Sequence, residues 1–263
     1  MGSLTIESLL QQRGTWLKGE PSDGNAARAR ADLTQIIAAS YHVFEEVRDG
    51  IIRNADLYLR GEALPVQMIG PEGLSLQEEL CRFGMAFRSP AGAVICETQG
   101  RRYLTGGWLE ELAWLAAIEA GADEALFGQC LVWKVKNFSG ENEIDLIMRK
   151  GGRLGFVSCK ALRSELDIHD RKHRNRLMDA VHEADNLADH FGRHGDAVAV
   201  LVTTDLIDES KGAVRYNSLM GKAAVLDVRV IPLEELAFNK LSAALLALLS
   251  ETEGVSQHES YPV

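Results

Sequence analysis

What the sequence lacks narrows what the protein can be. No apolar run approaches the roughly 18–20 residues that span a bilayer, and Met1-Gly2-Ser3 is followed by polar residues instead of an apolar signal core. No membrane segment is expected. The four cysteines, Cys81, Cys96, Cys130 and Cys159, are scattered and form no C-x-x-C pair, which excludes a disulfide scaffold and points to reduced thiols in a cytoplasmic setting. Positive charge is scarce: 28 Lys and Arg face 38 Asp and Glu, a formal net charge of -10. The overall field therefore repels nucleic acid, and such a partner has to be held by a local basic patch. Neither Gly106-Gly107 nor Gly151-Gly152 is followed by Gly-Lys-Ser/Thr, so neither is a phosphate loop. No internal repeat or long low-complexity segment is evident. What remains is a 263-residue chain, 46% hydrophobic and 25% charged, with room for one large or two small domains. Met-Gly-Ser resembles a cloning scar, which leaves open that upstream sequence is missing.

The apolar spacing predicts helices over 9–18 and 26–59, separated by the Gly/Pro/Ser/Asn break at 19–25. Ser75 ahead of Leu76, Leu80 and Phe83 suggests a capped helix, and 93–103, split by Gln99-Gly100, a short hairpin. Helix then hairpin is half of a winged-helix pattern. Beyond Gly106 the pattern sharpens into a helix at 108–120 and strands at 131–135, 143–149 and 153–160. Lys150-Gly151-Gly152 joins the last two. A helix over 177–191, a buried strand over 197–203, a strand over 225–231 and a terminal helix opened by Pro232 follow. This order predicts an α/β fold with a mixed sheet flanked by helices. The expected division is a helical region at 1–70, a small winged-helix-like unit at 71–105, the α/β domain at 106–252 and a tail at 253–263.

Chemistry concentrates in the strands. Alternation from Glu143 puts Glu143, Asp145 and Ile147 on one face and Ile144, Leu146 and Met148 on the other. On the partner strand, Leu154, Phe156, Ser158 and Lys160 share a parity, so polarity emerges only at its end, where a hairpin register could bring Lys160 near Asp145. A carboxylate, a polar group two residues before a lysine, and a glutamate on the preceding helix suit phosphodiester hydrolysis. The acids hold a hard cation through oxygen, and the lysine orients the nucleophile or offsets charge growing on the phosphate.

Gly106-Gly107-Trp108-Leu109-Glu110-Glu111, Asn142-Glu143-Ile144-Asp145 and Ser158-Cys159-Lys160 together resemble the PD-(D/E)XK nuclease superfamily. The likeness is to the CRISPR-associated nucleases in which a CARF sensor of cyclic oligoadenylate precedes the nuclease, and it covers roughly residues 75–250. It implies a restriction-endonuclease-like fold and a metal-dependent endonuclease acting on DNA or RNA, single-stranded or nicked, in antiviral defence. It further implies Asp145 as a metal ligand, Lys160 as the catalytic lysine, Glu110 as the helix carboxylate and the Cys159 main-chain carbonyl as a further ligand for Mg2+ or Mn2+. A homodimer is implied as well. Two departures stand out. Ser158 occupies the catalytic position where the pattern carries Glu or Asp, and serine is a weak magnesium ligand; Glu111 or Glu143 would have to supply the missing oxygen. The first hundred residues lack a CARF-like alternation of strand and helix, so cyclic oligoadenylate would act through a sensor that is missing or unrecognised.

Residues 149–176 carry a local excess of positive charge, and Arg163, Arg171, Lys172, Arg174 and Arg176 are the expected nucleic-acid contacts. Lys134 and Lys136, with Trp133 and Phe138, offer further phosphate or stacking contacts, although Trp133 also suits the core. His169, His173, His182 and His190 lack cysteines at zinc-finger spacing, which disfavours zinc. The competing expectation is a nuclease fold that lost catalysis at Ser158 and binds nucleic acid as a regulatory module.

Overall fold

Three consecutive segments rich in large apolar residues pair in sequence and form the middle of the sheet. The computed structural model describes residues 4–250 except 21, 66–68 and 209; Met1-Gly2-Ser3 and the expected tail at 253–263 lie outside the described residues. In chain order the elements are α1 (Ile6–Gln11), β1 (Thr15–Lys18), α2 (Gly24–Ala29), α3 (Ala31–Ala39), α4 (Tyr41–Leu59), α5 (Pro71–Arg82), β2 (Phe87–Arg88), β3 (Val94–Ile95) and α6 (Thr98–Arg102). A π-turn at Tyr103–Gly107 leads into α7 (Trp108–Glu119), β4 (Glu124–Val135), β5 (Phe138–Lys150), β6 (Arg153–Lys160), α8 (Arg171–Phe191) and β7 (Ala197–Val202). The described chain ends with β8 (Ile207–Asp208), β9 (Ala213–Val214), α9 (Asn217–Val225), β10 (Arg229–Ile231), a 3-10 turn at Leu233–Glu235 and α10 (Phe238–Ser250).

Six strands form one mixed sheet in the order β1-β4-β5-β6-β7-β10. Neighbours from β1 to β6 are antiparallel, while β6–β7 and β7–β10 are parallel. All six residues of β7 are buried, as a central parallel strand covered on both faces requires. One core packs α7 and α10 against Leu146, Met148, Val157, Ala199 and Leu201; the other packs α8 against Ile147, Phe156, Val198, Val200 and Val202. The α/β class and the restriction-endonuclease-like mixed sheet flanked by helices are therefore observed. Among the described residues no helix is long and apolar enough to cross a membrane.

Several expected elements differ. The helix expected over 9–18 divides into α1 and β1, because Gly14 turns the chain at φ +75 and β1 pairs with β4 as the edge of the sheet. Arg13 fixes this segment through a buried 2.5 Å contact to Asp196. The helix expected over 26–59 breaks at Arg30 and Ser40, which leave helical backbone geometry. The breaks let Arg30 reach Glu111 and let Tyr41 stack on Trp108 at 5.5 Å. Ser75 lies inside α5, which begins at Pro71, where a missing N–H costs nothing. The hairpin expected over 93–103 is instead β2 with β3, followed by α6. Gly100 permits that packing: a Cβ there would lie 2.0 Å from the Met85 carbonyl oxygen. Val225 ends α9 instead of starting a strand, the chain turns at Asp227 with φ +53, and α10 begins at Phe238, after the 3-10 turn that Pro232 opens.

Candidate active site

The site begins where sheet pairing fails. The β5–β6 register runs from Lys150↔Arg153 to Leu146↔Val157 and stops. The β4–β5 register passes from Phe127↔Leu146 to Gln129↔Ile144, skipping Gly128 and Asp145. Gly128 has φ +58, a left-handed conformation that glycine adopts at no steric cost. The strand rotates there, so the expected alternation fails at one residue: Ile147 does oppose Leu146 and Met148, but Ile144 joins Ile147 in the core beneath α8. Asp145 occupies the resulting gap. Its Oδ2 accepts the Cys159 N–H at 2.6 Å and the Ser158 hydroxyl at 3.3 Å, so the carboxylate takes up a main-chain donor that the broken ladder leaves unpaired.

Glu110, in the first turn of α7, faces the same gap. Burial first, and the Asp145 charge second, push its carboxyl up to about 7, with Arg102 pulling the other way. Asp145 is itself raised, mainly by burial, against the lowering effects of the Cys159 N–H, Lys160 and Ser158. Glu143 is largely exposed, lies 3.9 Å from Arg102 and adds negative field at both acids. The Cys159 thiol is driven well above its usual range by burial and then by Asp145 and Glu110, which makes it a poor nucleophile. Its N–H is already used by Asp145.

Lys160 is not hydrogen-bonded to Asp145. Burial lowers its pKa, but the ion pair with Glu183 of α8, Nζ–Oε2 2.6 Å, outweighs this with help from Asp145, and the net shift is upward. It stays an ammonium. Glu111, although adjacent to Glu110, is engaged elsewhere: Arg30 binds it with two hydrogen bonds of 2.5 and 3.2 Å.

The expected basic contacts cluster at the start of α8. Arg171, Lys172 and Arg176 are exposed, Arg174 is half-buried, and Arg163 lies 3.7 Å from Asp170, which caps the helix. Glu183 is 12 residues beyond Arg171, about 18 Å along a helix rising ~1.5 Å per residue. Arg171 thus lies well away from Glu183 along the helix, while Arg176 is seven residues before it and Arg163 three residues after Lys160. Trp133 is half-buried against His190 at 5.7 Å and bonds Asn142, while Phe138, 73% exposed, starts β5 beside the hairpin tip. The four histidines do not converge; His173 is buried against Thr204 at 3.2 Å. Among the described residues no group of three or more His, Cys, Asp and Glu side chains is arranged to hold a metal ion.

Sequence reasoning missed Glu183, Arg102 and Ser22. A Cβ on Gly128 would stand 2.7 Å from Ser22 Oγ, 3.3 Å from Glu110 Oε2 and 3.8 Å from Arg102 Nη2, so three separate elements meet at this bare backbone. Only long-range pairing creates that meeting. Glu183 was the more legible: it is an acid on the α8 face toward β6, the strand that ends in Lys160.

Two solved structures share the fold. Protein VC1899 from Vibrio cholerae superposes with a TM-score of 0.64 at 16% identity, over 93% of this chain and 61% of that one. Can2 from Sulfobacillus thermosulfidooxidans, solved in complex with cyclic tetra-adenylate, gives 0.57 at 15% identity, over 94% and 62%. The chain thus spans about three fifths of the length of each. No curated protein sequence matches it. The model of the Card1-like endonuclease domain matches residues 96–236, a span that holds α7, Asp145, Lys160 and Glu183 and exceeds half of the 263 residues. The chain belongs to the Card1-like endonuclease domain family.

Proposed function

We propose that the protein is a metal-dependent endonuclease that hydrolyses phosphodiester bonds of DNA or RNA, single-stranded or nicked, in CRISPR-type defence. The observation that carries this reading is the pair Glu110 and Asp145, two partly buried carboxyls both raised above their usual range, with the Lys160 ammonium beside them. Buried acids that repel one another are costly unless a cation joins them.

The residues fit a hard dication such as Mg2+ or Mn2+. Both side chains offer carboxylate oxygen, and Mg2+ is commonly held by one or two carboxylates plus water and substrate phosphate, so the lack of a third converging ligand is no obstacle. Asp145 and Glu110 would hold it, with the Cys159 main-chain carbonyl as a further oxygen. When bound it supplies Lewis-acid stabilisation of the phosphate charge. Cys159 and Ser158 keep Asp145 oriented through their hydrogen bonds. Lys160 positions the attacking water and offsets charge on the phosphate. Glu183 holds the lysine side chain in place, and the basic start of α8 takes the phosphate backbone of the strand.

Activation by cyclic oligoadenylate is part of the proposal, supported by the shared fold of Can2, whose structure contains cyclic tetra-adenylate. A homodimer that aligns two sites, in the reducing cytoplasm, completes it; the four cysteines are free thiols. One observation favours a second reading, a nucleic-acid-binding module without turnover: Ser158, buried against Asp145, is neutral where a third acid would stand.

The test incubates wild type and Lys160→Ala with labelled single-stranded DNA, single-stranded RNA and supercoiled plasmid, in Mn2+ or EDTA, with and without cyclic tetra-adenylate. Cleavage by wild type alone, abolished by EDTA, is expected. Binding without cleavage under every condition would favour the module.

A further inference from the structure

Beside the acids lies a cavity of about 370 Å³ lined by Ser22, Asp23, Ala26, Gln99, Arg102 and Glu110, among others. This is within the range of small-molecule sites, ~300–1,000 Å³. Three features set it apart from an accidental crevice. It shares Glu110 with the candidate active site, so whatever fills it lies next to the reacting bond. Its walls come from three distant segments, the start of α2, α6 and α7, and they meet where Gly128 has no side chain. Its chemistry is mixed in the way a nucleotide requires. Tyr103, Met85 and Phe127 give an apolar floor, Ser22, Asp23 and Gln99 give hydrogen-bonding groups, and Arg102 gives an exposed guanidinium at the rim.

Arg102 is the informative member. Among the described residues its ion pair is with Glu143, long at 3.9 Å, and its side chain is 69% exposed. A guanidinium held this loosely beside two carboxyls is free to turn to a phosphate, for which its planar fork is suited. The other arginine of the cavity, Arg30, is already committed to Glu111.

We propose that this cavity is a nucleotide subsite: it receives the nucleoside adjoining the scissile phosphate, with Arg102 on a neighbouring phosphate and Gln99 and Ser22 on the base edge. The inference rests on the nuclease reading above but is tested apart from it. Placing the base there sets which nucleotide precedes or follows the cut. It also gives the segment before α2 a part in substrate recognition.

The experiment measures binding of fluorescein-labelled single-stranded DNA and RNA homopolymers by anisotropy in EDTA, and maps cut positions on mixed-sequence strands in Mn2+. Wild type is compared with Arg102→Ala, Gln99→Ala and Ala26→Trp, the last of which fills the cavity from the α2 side and leaves both acids unsubstituted. The expected results are a Kd raised about tenfold in Arg102→Ala, a comparable rise in Kd and KM with kcat little changed in Ala26→Trp, and a flattened base preference at the cut in Gln99→Ala. Arg102→Lys should recover part of the affinity. Kd and cut-site preference equal to wild type in Arg102→Ala and Gln99→Ala, both at exposed positions and expected to fold, would overturn the subsite even if Ala26→Trp proved unstable. A wild type that binds but does not cleave would instead count against the nuclease reading, and the Kd comparison would still decide the subsite.

Discussion

Two places along the β4–β5 ladder, its Glu124↔Arg149 end and the break at Gly128 and Asp145, gather the same residue types and treat them in opposite ways. At one end Asp123 accepts the Gly151 N–H at 2.7 Å and lies 3.2 Å from Arg149, while Glu124 takes the Ile6 N–H at 2.6 Å and lies 3.4 Å from the same arginine. The Asp123 carboxyl is lowered, chiefly by the Gly151 hydrogen bond. At the break, beneath α7, Glu110 is raised to about 7 and Asp145 is raised as well, while the nearest ammonium, Lys160, points to Glu183. An acid with donors at hand holds a turn together. An acid buried among acids weakens the fold until a cation arrives, which is the arrangement expected of a binding centre.

Disrupting each place should give different losses. Asp145→Asn or Lys160→Ala should lower cleavage by roughly 10²–10⁴-fold, the usual worth of a positioned acid, base or charge, with no loss of stability in metal-free Asp145→Asn. Arg149→Ala should do the reverse, reducing stability while leaving the rate per folded molecule unchanged. Single-turnover cleavage and urea denaturation of the three variants read this directly. Next in size is Glu111→Ala, which strands the mostly buried Arg30 and should cost about 3–5 kcal/mol in urea denaturation with little change in cleavage. If it abolished cleavage without loss of stability, Glu111 would belong with Glu110.

A difference in pH dependence should sharpen the same contrast. Because the folded-state pKa of Glu110 lies above its ordinary 4.5, its contribution to stability is full below that value and is lost as the pH rises through about 7. Glu234, raised to about 7 by burial and by Asp205, adds a decline of the same sign in the same window. Metal-free wild type should therefore lose stability between about pH 5 and pH 8, and Glu110→Gln should remove its share, up to about 3 kcal/mol at ~1.4 kcal/mol per pKa unit. Melting temperatures in EDTA at pH 5 to 8 measure the difference; parallel curves for the two proteins would contradict the placement. Ser158→Asp should raise Mn2+-dependent cleavage severalfold by adding an oxygen beside Asp145. No gain would leave serine as the better partner for that carboxylate. The smallest effect is expected at Glu183→Gln, a few-fold loss of kcat with KM unchanged, since only the orientation of Lys160 is affected.

The sequence made the sheet legible and the site half-legible, for different reasons. Helix α7, the hairpin through Gly151-Gly152 and the buried β7 follow from periodicity, because each has its own amphipathic or wholly apolar signature. Asp145, Lys160 and Glu110 stood out through the resemblance of the motifs around them to the nuclease superfamily, which is also what implied their roles. The segment at 9–18 could not be read as turn and strand: β1 is an edge strand of four residues, stabilised by β4 more than a hundred positions later. The rotation at Asp145 was equally hidden, since it depends on Gly128 across the ladder. Glu111 and Glu110 are indistinguishable in sequence, and only the distant Arg30 decides which acid is neutralised.

The central claim is that the Glu110–Asp145 break in the ladder is built for a cation and its Asp123–Glu124 end is not. Thermal unfolding against Mn2+ concentration tests it most directly, because a ligand bound only by the folded state raises the midpoint. Wild type and Glu124→Gln should both be stabilised progressively by Mn2+, while Glu110→Gln and Asp145→Asn should show no saturable rise. A wild type indifferent to Mn2+, or Asp145→Asn responding as wild type does, would contradict the account.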